Sequence, residues 1–164
     1  MMNPNPGFTL IELVIVILIL GVLTATLAPK YINLQSDARI ANINGLKASV
    51  ESSAQLIYAK ALIKNVVNQA LTSVSIGNDS VEVIYGYPRA RFSTTWSKLL
   101  DAQIGEIPYD NADDFDWMWH NVANDGLYFM PRGYTHENKN CWVKYAHPAA
   151  INTQAQITTE FGGC

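Results

Sequence analysis

From Phe8 to Ala28 the chain is apolar almost without interruption, and only afterwards does a regular alternation of apolar and polar positions begin. At 1.5 Å per residue the apolar run makes a helix of roughly 31 Å, close to the hydrocarbon thickness of a bilayer, which predicts one membrane span. Beyond Pro29 the apolar positions Ile40, Ile43, Leu46, Val50, Ala54, Ile57 and Ala61 recur at helical spacing, with Arg39, Lys47, Glu51 and Lys60 between them. That pattern predicts an amphipathic helix with one buried stripe, with Ser36 or Asp37 as its cap and Gly45 inside it at a cost of about 1 kcal/mol. Gly21 and Pro29 predict a kink or a locally extended stretch between them, because proline removes a backbone donor and clashes with the preceding turn. If the two segments join, one helix runs from Phe8 to about Asn65.

From Leu71 the texture changes to short alternating runs separated by turns. Val74 and Ile76, then Gly77-Asn78-Asp79, then Val81, Val83 and Tyr85 read as a hairpin. Thr94 to Ala102 reads as a short helix capped by Thr94 or Thr95. Leu127 to Met130, Trp142 to Tyr145 and Ile151 to Thr159 read as strands. The expected fold class is α+β, a long N-terminal helix whose second half packs against an antiparallel sheet.

Composition narrows the function. The formal net charge is −3 and the Lys and Arg residues are scattered, so the clustered basic footprint that nucleic acid requires is missing. A carboxylate, Glu12, sits just inside the apolar run, where Lys30 is the nearest other charged side chain. An acidic or basic residue at the centre of a membrane helix costs about 2.5–3.5 kcal/mol, less near an end, so Glu12 needs a partner and is a functional candidate. The two cysteines, Cys141 and Cys164, can form a disulfide, share a metal or stay free. No metal-type Cys or His spacing accompanies them, and a domain exported past one span meets oxidising conditions, which favours the disulfide.

Gly7-Phe8-Thr9-Leu10-Ile11-Glu12, followed by the apolar helix, resembles the type IV prepilin signature shared by pilins and by the pseudopilins of type II secretion. The resemblance implies residues 1–7 as a leader, 8–29 as a membrane and polymerisation helix, and 30–164 as the remaining half-helix with a globular head, a pilin-like fold. It implies cleavage by a prepilin peptidase between Gly7 and Phe8, N-methylation of Phe8, and assembly through Glu12, whose carboxylate meets the new amine of a neighbouring subunit, in competition with that of its own Phe8 one helical turn away. Two opposite charges in a low-dielectric bundle attract strongly, and either one alone is penalised there. A secretory signal peptide fits less well, since the run is long for one and its best cleavage site abuts Pro29. Residues 1–7 carry no Lys or Arg and Lys30 lies on the far flank, so the orientation follows from the resemblance and not from the charges.

More narrowly, Tyr85-Gly86-Tyr87-Pro88, Cys141-Trp142-Val143-Lys144-Tyr145 and Gly162-Gly163-Cys164 are similar to the mannose-sensitive haemagglutinin (MSHA) pilins of Gram-negative bacteria. This implies a helical homo-oligomeric fibre that supports adhesion, made from a precursor in the inner membrane by pilus assembly machinery, with no cofactor and no catalysis. A Cys141–Cys164 bridge would contribute roughly 3.5 kcal/mol in the chain-entropy model and pin the final strand. A pseudopilin, or an anchored binding protein that does not polymerise, is the alternative.

Two clusters remain. Asp110, Asn111, Asp113, Asp114 and Asp116 offer hard oxygen ligands to calcium, without the glycine and terminal glutamate of an EF-hand, so a solvated acidic loop is the expected reading. Trp117, Trp119, His120 and Trp142 offer aromatic faces to a carbohydrate or other surface ligand, with core packing as the plainer expectation. His136 and His147 show no catalytic spacing, no nucleophile elbow or phosphate loop occurs, and Asn78-Asp79-Ser80 matches a glycosylation acceptor.

Overall fold

A computed structural model describes residues 7–111 and 113–164, without the side chains of 28, 29 and 31–33; the rest of the expected leader lies outside the described residues. The chain divides into two compact units, Met1–Ala38 and Arg39–Cys164. One α-helix, α1 (Leu10–Ile63), begins in the first and ends in the second. The backbone is helical throughout Gly21 to Pro29, so the locally extended stretch is not formed, and neither Ser36 nor Asp37 starts a new helix. Within the apolar part the hydroxyls of Thr24 and Thr26 donate to the carbonyls of Leu20 (2.7 Å) and Leu23 (2.9 Å), so neither is left without a partner. The helix closes in a Schellman arrangement: Asn65 takes φ 55°, its N–H donates to Leu62 O, and that of Val66 donates to Ala61 O.

The second unit is α+β. Ile43, Leu46, Val50, Ala54, Ile57 and Ala61 are buried as the spacing predicts, Ile40 at the start of the stripe is only half-buried, and Arg39 and Lys60 keep partial access to water. Two sheets share that stripe. Ile57 and Ala61 pack with Val74, Val81 and Val83 of a three-stranded sheet, β1 (Thr72–Ile76), β2 (Asp79–Ile84) and β3 (Tyr87–Pro88), all antiparallel. Ile43, Leu46, Val50 and Ala54 join Leu127, Phe129, Val143 and Tyr145 of a five-stranded sheet. That sheet runs in chain order: β4 (Ile104–Glu106), β5 (Trp117–Val122), β6 (Gly126–Pro131), β7 (Trp142–Ala146) and β8 (Gln156–Glu160). It is antiparallel except for β4 beside β5, which is parallel.

Details depart from the sequence reading for local reasons. The helix expected over Thr94 to Ala102 is a single 3-10 turn, Trp96–Lys98, whose N-cap Thr95 makes no side-chain cap bond. Thr94 donates its hydroxyl to Glu82 instead (2.9 Å). The strand expected over Ile151 to Thr159 shortens to Gln156–Glu160, with a turn before it. Between the sheets lies Trp96, fully buried against the edge of Tyr145 (4.4 Å between ring centroids) and of Phe129 (6.1 Å).

The crossover from β3 is fixed by side chains of the larger sheet. Tyr145 Oη donates to Pro88 O (2.7 Å), Asn121 Nδ2 donates to Ala90 O (2.6 Å), and Ala90 N–H donates to His147 Nδ1 (3.2 Å). Backbone polar groups that no ladder reaches are thereby satisfied, at the seam between the two sheets.

Candidate functional site

The first unit carries the cleavage and assembly candidates. Phe8 is exposed, and every described side chain from Leu10 to Leu27 is exposed as well. The window Leu10–Leu27 has a mean hydropathy of 2.8, so by length and composition this helix can cross a membrane. Apolar side chains on all faces with nothing packed on them require lipid or other chains around them.

Glu12 has a partner that the sequence reading overlooked. Its Oε2 accepts from the Thr9 backbone N–H (3.1 Å) and from the Thr9 hydroxyl (2.8 Å), while Glu12 N–H donates to Thr9 Oγ1 (3.3 Å). This is a capping box: Thr9 caps the helix and the acid reaches back to satisfy the amide before it. Thr9 is thus a neutral partner for the carboxylate, beside the charged amine at Phe8 that the resemblance implies. The signal was legible, since Thr-x-x-Glu ahead of an apolar run is the sequence form of this motif. The box lies entirely at Thr9 to Glu12, so its groups are the same whether or not Gly7 precedes Phe8.

In the second unit Cys141 and Cys164 form a disulfide with Cα atoms 5.0 Å apart. The segment it closes is also held by polar contacts that sequence alone did not reveal. Arg39 donates from Nη1 to the main-chain oxygen of Cys164 (3.0 Å), and Tyr134 Oη donates to Gly163 O (2.7 Å). The Arg39 guanidinium and the Lys139 ammonium each lie 5.9 Å from the centroid of the Tyr134 ring, in cation–π range. Close approach of Gly163 to Lys139 O leaves no room for a Cβ there.

The acidic segment does not converge. Asp110 Oδ2 accepts from Glu106 N–H (2.7 Å), Asn111 Oδ1 accepts from Asp113 N–H (3.3 Å), and Asp116 pairs with Arg132 (3.2 Å). Among the described residues no three carboxylate, His or Cys groups gather where they could hold one metal ion. The aromatic residues weighed as a sugar platform are half-buried and packed, in line with the plainer expectation. Trp119 stacks on Phe92 (4.9 Å), Trp117 borders the main core, and Trp142 meets Tyr128 edge-on while its Nε1–H donates to Glu137 O (3.0 Å). His120 Nδ1 lies 3.2 Å from a carboxylate oxygen of Glu137.

At the opposite end of the larger sheet stands a polar network. Lys144 Nζ donates to Asp125 Oδ1 (2.6 Å), and Tyr128 Oη donates to Asp125 Oδ2. The Lys144 and Tyr128 hydrogen bonds hold the Asp125 carboxyl below its usual range, and the bond to Asp125 pushes Lys144 up. Nearby, burial and then the positive charge of Arg89 push the His147 pKa down. Arg89 itself pairs with Glu82 (3.0 Å). Burial opposes the Glu82 charge, but Thr94 and Arg89 together outweigh it and lower its pKa.

Residues 2–28 match the family model described as the prokaryotic N-terminal methylation motif. Among curated proteins, the type IV narrow pilus major component PilA5 of Thermus thermophilus is 47% identical over 47 residues. That alignment covers 29% of this chain and 40% of the relative, so the chain spans two fifths of the length of the curated protein it matches. No solved structure is significantly similar.

Proposed function

We propose that this chain is the precursor of a structural subunit of a type IV pilus. It is cut between Gly7 and Phe8, methylated at the Phe8 amine, held in the membrane by its apolar helix, and polymerised through that helix into a surface fibre. The observation that carries this reading is the conjunction of a methylation motif over residues 2–28 with a helix on which every described side chain from Leu10 to Leu27 lies open. Polymerisation supplies the apolar surroundings that this surface needs once it leaves lipid. An MSHA-type fibre of a Gram-negative bacterium, serving attachment, is the finer form of the proposal. The short motifs at Tyr85 to Pro88, Cys141 to Tyr145 and Gly162 to Cys164 support it.

Glu12 has two roles in this scheme, cap and charge, and substitution separates them. Glutamine completes a capping box as glutamate does, but it brings no charge to a cationic amine. Filaments sheared from cells and read by mass spectrometry are expected to contain this chain starting at a methylated Phe8. In Glu12→Gln the cleaved, methylated protein is expected to accumulate in the membrane while sheared fibre falls at least about tenfold, as loss of a desolvated charge pair requires. Full fibre yield from Glu12→Gln would remove the charge from the assembly mechanism and leave the cap. Recovery of the chain only as uncut membrane monomer would remove the pilin reading altogether.

A further inference from the structure

Where β5 turns into β6 and β7 leaves for β8, the head has an open cleft of about 730 Å3, lined by parts of both sheets. The size is that of a site for a small molecule, roughly 300–1,000 Å3. Its lining is not that of an ordinary apolar pocket. Arg89, Lys144 and His147 stand with Asn121, Asn124 and Gln154, and among the described residues no Phe, Tyr or Trp borders it. Such a surface suits a ligand that is itself hydrated and many-handed in hydrogen bonds.

The sign of that ligand follows from which groups remain unused. Asp125, the one carboxylate among the lining residues, is taken up by Lys144 on one oxygen and Tyr128 on the other. Arg89 reaches Glu82 through Nη1 alone, and its Nη2 and Nε have no partner among the described residues. His147 Nδ1 accepts from Ala90 N–H, so the neutral ring carries its proton on Nε2, a donor with no partner among the described residues. What is left open is one edge of a guanidinium, an imidazole N–H and side-chain amides, a donor-rich set beside a fixed positive charge. A planar carboxylate matches a guanidinium edge in geometry as well as charge. Gly126 also lines the cleft; a Cβ there would fall 2.6 Å from Tyr145 O, so the wall at that point is bare backbone.

We propose that this cleft binds an acidic sugar, its carboxylate on Arg89 and the Nε2–H of His147 and its hydroxyls on the amides of Asn124 and Gln154. A free phosphate would satisfy the charges but leave most of the cleft and its amides empty. A neutral sugar would leave the Nε–Nη2 edge of Arg89, the one Glu82 does not reach, without a charged acceptor. Every lining residue belongs to the second unit, so the test uses the unpolymerised chain and does not depend on polymerisation.

The experiment uses the full chain in detergent micelles, with D-glucuronate, D-glucose and inorganic phosphate as probes. Calorimetry reads binding, and histidine NMR reads the titration of His147. D-glucuronate is expected to bind, to raise the His147 pKa by linkage and to exceed both D-glucose and phosphate by about tenfold or more. Arg89→Gln should lose about tenfold or more in D-glucuronate affinity. Because Arg89 also serves Glu82, Gln154→Ala on the exposed rim is the companion variant and should weaken D-glucuronate while leaving phosphate unchanged. D-glucose binding as well as D-glucuronate would overturn the carboxylate assignment. Phosphate binding as well as D-glucuronate would overturn the sugar assignment. Absence of any His147 shift at saturating D-glucuronate would overturn the site.

Discussion

Ile17 and Ile57 lie on the same helix, yet the first is 57% exposed and the second fully buried. Around Ile17 the helix is apolar on every side; around Ile57 it is apolar along one stripe, and two sheets cover that stripe. A stripe specifies a fold, because only one face can turn inward and the sheets must come to it. An apolar surface all round specifies a medium instead, lipid or other helices, and leaves the partner's position to what few polar marks it carries. On this helix the mark is the Thr9–Glu12 box.

The largest expected effect breaks the comparison directly. Ile57→Ala should cost the head about 2–5 kcal/mol through lost burial and the cavity left behind, read as a fall in the unfolding midpoint of the full chain in micelles. Ile17→Ala should leave that midpoint within about 0.5 kcal/mol of the parent. Equal losses at both sites would mean that the two halves do not differ in the way their surroundings indicate.

Replacing Cys141 and Cys164 by serine comes next. A loss of about 3.5 kcal/mol is expected, confined to the head and absent from the parent in reductant-free buffer. A reductant should produce the same fall in the parent and none in the double variant. Within the apolar half, Thr9→Ala should remove the cap at a cost of about 1 kcal/mol to the first turn, seen as faster hydrogen exchange at the amides before Leu13 with the head's midpoint unchanged. Thr9→Ser should restore the protection.

The smallest effect is a dependence on pH. The folded-state pKa of His147 is depressed, by burial first and then by Arg89. The unfolded chain therefore takes up the proton first, and this increment of stability is lost as pH falls from the unfolded value of about 6.5 through the lower folded one. The carboxyls of Asp125 and Glu82 are also depressed, so their contribution persists to lower pH and disappears as pH falls further, through their own folded values. His147→Gln should abolish the first step and leave the second, which denaturation midpoints across pH will show.

How much of this was legible in the chain depends on how local the cause is. The buried stripe of α1 came straight from spacing, since Ile43, Leu46, Val50, Ala54, Ile57 and Ala61 each repeat one geometry. The β1–β2 turn at Gly77-Asn78 was equally local, and Gly77 takes a positive φ of 57° there. The pairing of β4 with β5 was not legible, because three residues of parallel strand leave no alternation to read. Nor was the seam at Pro88 to Ala90, which depends on Asn121, Tyr145 and His147 arriving from far along the chain. The cleft was hidden for the same reason, its lining residues being ordinary in sequence and unusual only together. The capping box was different: Thr9 and Glu12 are three apart, so its hydroxyl and carboxylate are as local a signal as the stripe.

Trp96 has a consequence for observing this protein. Its indole N–H is buried with no hydrogen-bond partner among the described residues, at the meeting point of both sheets and α1. An excited indole with no polar neighbour emits toward the blue, and one released to water emits toward the red. The head thus contains its own fluorescent gauge, placed where the two sheets must separate for it to respond. A shift from Trp96 would register opening of the seam, while Trp142, whose N–H is already bonded to Glu137, reports on the disulfide-closed segment beside it.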